Sequence, residues 1–116
     1  FFYNIFLIKG WNSDANYRLR TVLTGRIYAA LKMRYLSKAY KSMELLGASM
    51  YIVREHLEAQ FQPGMSWKNY GKWHCDHIRP LSSFNLENPS EQKRAFNYKN
   101  LQPLWAFENL SKGSSY

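Results

Sequence analysis

At 116 residues the chain has room for one domain with a modest core, and its 46% hydrophobic and 17% aromatic content excludes an intrinsically disordered protein. Sixteen Lys and Arg against eight Asp and Glu leave a formal charge of +8, which points to a polyanionic partner with nucleic acid first in line. The single cysteine, Cys75, excludes an internal disulfide framework and a four-cysteine zinc ribbon, and it suggests an intracellular protein.

The chain opens without Met on the apolar run Phe1 to Ile8, broken only by Asn4. Such a run is far shorter than the roughly 20 residues a bilayer span needs. It also lacks the basic region and small-residue cleavage site of a signal peptide, so no membrane partner is expected. It reads as a fragment's surface strand, and residues 1–13 are set apart as an extension that need not belong to the fold. From Asp14 to Met33, Leu19, Val22, Leu23, Ile27, Ala30 and Leu31 recur at helical spacing and predict a helix with one buried stripe. Around it stand Arg18, Arg20, Arg26, Lys32 and Arg34, with Asp14 as the lone counter-charge; the excess favours phosphate contact over a merely solvated face.

A second helix starts at Ser49 as N-cap and runs through Met50, Val53, Leu57 and Phe61 until Pro63-Gly64 stops it. Gly64 to Gly71 is loop-like, Lys72 to Ile78 a short strand, and Ser90 to Tyr98 a short helix with Pro89 at its start and Ala95 and Phe96 inward. Leu101 to Trp105 reads as a second strand that Pro103 confines to an edge or a bulge. Ala106 to Lys112 reads as a last helix, and Ser111 to Ser115 as a frayed tail. Trp67, Tyr70, Trp73, Trp105 and Phe107 are expected in the core rather than as base-stacking platforms. Cys75 is expected to pack against the helix behind its strand. The fold class is α+β, with a basic helical region 14–62 and a region 63–116 forming a single domain.

The densest polar cluster is His74-Cys75-Asp76-His77. Four consecutive strand residues alternate between faces, so they cannot all reach one zinc ion. The cluster can supply one hard oxygen ligand, Asp76, and one imidazole, His77, provided the chain leaves regular strand geometry between them. The remaining donors would come from Asn97, Asn100 or Asn109. Singly, each Asn means little, because Asn is common in loops and caps.

The pattern Asp76-His77-Ile78, then Asn100, then Asn109 nine positions on with Lys112-Gly113 just beyond, closely resembles the HNH endonucleases. The runs Leu45 to Ser49, Pro63 to Trp67, Asn69 to Gly71 and Asn100 to Trp105 resemble the phage and mobile-element branch of that family. The likeness covers roughly Asp14 to Gly113. It implies a small ββα-metal (His-Me finger) nuclease unit with additional N-terminal helices. By the same resemblance His77 is the general base, Asp76 and Asn109 hold the metal, and Asn100 braces the loop and orients His77. His74, on the strand face of Asp76, is a candidate for contact with the metal's surroundings or a phosphate, and Lys112 for a phosphate oxygen.

The implied substrate is double-stranded DNA and the implied cofactor one divalent ion, Mg²⁺ first and Mn²⁺ second, with no structural zinc. The chemistry suits those residues. A hard cation stabilises phosphoryl charge and the leaving alkoxide, and an imidazole of ordinary pKa near 6.5 can take a proton from water at neutral pH. A catalytically silent DNA-binding module of a larger recombination or packaging protein and a basic RNA-binding domain are the alternatives. The recognition sequence and oligomeric state are not legible.

Overall fold

The computed structural model describes the backbone of residues 2–108 and the side chains of residues 16–108. Helix α1 (Phe2–Lys32) leads, followed by α2 (Ser42–Leu46), α3 (Met50–Glu58), β1 (Trp73–His77), α4 (Pro89–Phe96) and β2 (Leu101–Trp105). Single 3₁₀ turns stand at Trp67–Asn69, Leu81–Ser83 and Tyr98–Asn100. The fold is α+β: helices around one two-stranded antiparallel sheet.

In α1 the residues Leu19, Leu23, Ile27 and Leu31 recur every fourth position and are all buried, the stripe expected of a helix laid on a core. Gly25 faces open space, so it costs the helix only its propensity penalty of about 1 kcal/mol. The expected surface strand at Phe1 to Ile8 is not found, since the backbone from Phe2 is already in α1. The helix crosses the 13/14 boundary without a break. Beyond it lies α2, which the sequence pattern does not reveal, because five residues are too few to show a period. Gly47 caps α2 at φ 80°, and a Cβ there would stand 2.6 Å from Asn97 Nδ2. The left-handed backbone calls for glycine, and a Cβ would also push the Asn97 amide aside.

Ser49 does cap α3, its hydroxyl accepting from Ile52 N at 3.4 Å, and Val53 and Leu57 are buried. The helix ends at Glu58 rather than at Pro63, because Gln60 N and Phe61 N donate to Leu57 O and Glu58 O and tighten the last turn. That turn releases Phe61 to stack on Trp67 and Trp73, with ring centroids 5.3 and 5.0 Å away. In α4, Pro89 takes the first helical position and the Asn88 side chain accepts from Ser90 N and Glu91 N. Its buried Gln92 donates to Ser37 O and Leu86 O and accepts from Ala39 N, tying α4 to the α1–α2 connection.

The two strands pair with Trp73 opposite Trp105, Cys75 opposite Pro103, Asp76 opposite Gln102 and His77 opposite Leu101. The bonds Ile78 N to Asn100 O and Ala106 N to Lys72 O set the hydrogen-bonded pairs at the even positions of β1. Pro103 therefore sits at a non-hydrogen-bonded pair, where its missing N–H costs no ladder bond, and no bulge is needed. Trp73, Cys75 and Leu101 are buried on the helix side and join one core with residues of α1, α2, α3 and α4. The described residues on either side of the 62/63 boundary thus share a single core. A helical turn begins at 106 and reaches the last described residue, 108. Phe107 departs from expectation, being 69% exposed. Among the described residues no helix is long and apolar enough to cross a membrane.

Candidate functional site

Regular pairing continues through His77, so Asp76 and His77 point to opposite faces of the hairpin. The departure from strand geometry that would bring both side chains to one ion does not occur. Asp76 shares its face with His74 and Gln102, and Gln102 Nε2 donates to Asp76 Oδ2 at 3.1 Å. His77 faces the helices: it is half-buried, 6.3 Å from the Phe96 ring, and lines a cavity of only about 10 Å³ with Leu23, Ile27 and Leu101. His74 stacks edge-on with Tyr70 at 5.9 Å.

Asn100 is the most heavily committed polar side chain of the site. Its Oδ1 accepts from Arg79 N at 2.9 Å, and its Nδ2 donates to Arg79 O and to Ala95 O, both at 3.0 Å. With Ile78 N on Asn100 O at 2.8 Å, it clamps the chain two residues after His77 to the end of α4. A carboxamide is suited to this because one group both donates twice and accepts.

Cys75 is completely buried, and burial pushes its thiol up from 9.0 to about 11 against the opposing Arg26 charge. It is a protonated packing group beside Tyr70, whose hydroxyl burial raises from 10.0 to about 12. Folded protein holds both protons where unfolded chain releases them. Stability should therefore fall as pH climbs through the window from about 9 to about 12. Iodoacetamide at pH 8 should leave Cys75 unmodified in native protein and modify it in denaturant. Equal labelling rates by mass spectrometry in the two states would contradict its burial.

The α1 cations do not form one face. At about 100° per residue, Arg18 and Arg20 lie on nearly opposite sides of the helix. Arg26 Nη1 donates to Cys75 O, whose carbonyl points off the open edge of β1, and Arg34 Nη1 donates to Ala30 O at 2.7 Å. Lys32 lies 5.5 Å from the Tyr28 ring centre. Two of the five expected DNA contacts thus hold the protein's own backbone.

Asn109, Lys112 and the tail Ser111 to Ser115 lie outside the described residues. Among the described residues no three His, Cys, Asp or Glu side chains gather to hold a metal. The Asp76 carboxylate offers hard oxygen, the donor type that suits Mg²⁺ or Mn²⁺, while the Gln102 carboxamide turns its NH₂ rather than its oxygen toward it. Sequence reasoning missed Gln102, since its position opposite Asp76 depends on a register set across a long connection. It also missed the cations Arg79, Lys93, Arg94 and Lys99, scattered in sequence but gathered around one cleft.

No family model matches the chain, and no solved structure matches it. It is similar to two uncharacterized proteins of Acanthamoeba polyphaga mimivirus. One is 40% identical over 98 residues, covering 84% of this chain and 42% of its own length. The other is 33% identical over 101 residues, covering 86% of this chain and 43% of its own. The chain therefore spans less than half the length of the curated relatives it matches.

Proposed function

We propose that the chain carries an HNH-type, metal-dependent endonuclease site that hydrolyses DNA phosphodiesters, with His77 as general base and Asp76 and Asn109 as the residues that hold a divalent cation. The observation that carries the reading is the Asn100 clamp. A carboxamide just before β2 fixes the backbone immediately behind Asp76-His77, which is the bracing role the HNH resemblance implies. In-line hydrolysis needs the attacking water activated on one side of phosphorus and the leaving oxygen stabilised on the other. His77 would accept the water's proton and Asp76 would face the cation, which requires His77, at the end of β1, to turn from its packing against Phe96 to the Asp76 side of the hairpin. Bound there, a divalent cation would neutralise charge on the phosphoryl and leaving oxygens. Gln102 holds the Asp76 carboxylate in a fixed orientation.

Supercoiled plasmid incubated with the protein should be nicked with Mg²⁺ and left intact with EDTA. Asp76→Ala should need a higher Mg²⁺ concentration for half-maximal nicking, and Mn²⁺ should restore more of its rate than of a His77 variant's, because water can replace one lost ligand. An Mg²⁺ dependence identical to the parent's would remove Asp76 from the cation site. The packing of His77 against Phe96 and Leu101 favours a second reading, a DNA-binding module without catalysis. Duplex binding without any metal-dependent nicking would select it.

A further inference from the structure

The helix–hairpin junction holds a second feature that α1 does not account for. An open cleft of about 500 Å³ lies between the 3₁₀ turn after β1 and α4, lined by Arg79, Lys93, Arg94 and Lys99, with Phe84 and Asn100 at its wall. Among the described residues no carboxylate lines it, and none of the four cations has an ion-pair partner. Two are held in place without being neutralised. The Arg79 guanidinium lies 4.1 Å from the Phe84 ring centre and donates to Ser83 Oγ and Ser83 O, and Lys93 Nζ lies 4.1 Å from the Tyr40 ring centre.

Positive charge converging on a concave surface, with no internal counter-charge, costs self-repulsion unless an anion occupies it. Cations oriented in advance lose less freedom when that anion binds. The openness of the cleft and the spread of four charges suit a run of phosphates rather than one ion. The geometry points to this cleft as the seat of a DNA phosphate backbone: one strand of a duplex substrate tracks across Arg79, Lys93, Arg94 and Lys99 and is thereby led past the end of β1. Asn100 joins the two places, lining the cleft and clamping Arg79 behind Asp76-His77. The inference rests on the nuclease reading for its choice of DNA, and it moves the principal grip from α1 to the α4 side.

The test is fluorescence anisotropy of a labelled duplex in EDTA, where nothing is cut, across a salt series. Every phosphate that a variant no longer neutralises should lower the slope of log K against log salt by about 0.9. Lys93→Gln/Arg94→Gln/Lys99→Gln should therefore lose between about 2 and 3 units of slope, and Arg18→Gln/Arg20→Gln/Lys32→Gln less than one. Because Lys93 packs on Tyr40, Arg94→Gln/Lys99→Gln is measured beside it, with a thermal melt on each variant. A slope unchanged from the parent's in the folded double variant overturns the cleft. So does polyglutamate displacing the duplex at equal charge concentration, which would assign the cleft to acidic protein. Plasmid nicking by the parent separates the two ideas: a parent that binds with a cleft-dependent slope but never cuts keeps the cleft and loses the nuclease, and a cutting parent with an unchanged double-variant slope does the reverse.

Discussion

His77→Ala is expected to lower plasmid nicking by about 100- to 10,000-fold at pH 7.5, the usual loss when a general base is removed. Duplex affinity in EDTA should not change, because the side chain faces the helices and does not line the cationic cleft. The half-buried ring packs near Phe96, so part of any loss could come from a cavity rather than from missing chemistry. His77→Gln separates the two. It fills much of the same space and can hydrogen-bond, but it cannot take a proton at neutral pH. If His77→Gln keeps the parental melting temperature and still loses about two orders of magnitude in rate, the base assignment stands. Parental activity in that folded variant would remove His77 from the reaction.

The elements that the sequence made legible are those whose signal is local. Ser49 and Pro89 mark helix starts by chemistry confined to one turn, and both marks hold. The α1 stripe is readable because Leu19, Leu23, Ile27 and Leu31 repeat within one element. Strand β2 was legible to the residue, since its Pro103 is tolerated by a two-stranded sheet whose outer edges are open.

What escaped depends on partners distant in the chain. The crowding at Gly47 comes from Asn97, the buried bonds of Gln92 from Ser37 and Ala39, and the placement of Arg26 from a carbonyl 49 residues away. The face taken by His77 follows from regular pairing with Leu101, which a motif written as consecutive letters does not reveal. The basic cleft is invisible to a count of charge runs for the same reason: its cations come from the loop after β1, from α4 and from the turn before β2.

Asn100→Ala should be the most destabilising single change at the site. It leaves Arg79 N without its acceptor and both Arg79 O and Ala95 O without their donor, in a partly buried place where water replaces them incompletely. At about 1 to 3 kcal/mol for each unsatisfied buried group, discounted for partial exposure, the loss is about 2 to 4 kcal/mol. For a chain of this size that is a fall of roughly 8 to 15 °C in melting temperature.

Asn100→Asp sharpens the test because it preserves shape. At neutral pH the new carboxylate still accepts from Arg79 N, but it turns a second anionic oxygen toward two carbonyls where the amide donated. The variant should be at least as unstable as Asn100→Ala. Its carboxyl would hold its proton more tightly folded than unfolded, so stability should recover as pH falls toward about 4, where the unfolded chain's Asp also becomes neutral and one O–H can donate again. Nicking should fall in both variants by more than melting predicts at 25 °C, since the clamp fixes the backbone that carries Asp76 and His77. A melting temperature within a degree of the parent's for both variants would show that the three bonds are not formed in solution, and with them would go the strongest support for reading this hairpin as a nuclease site.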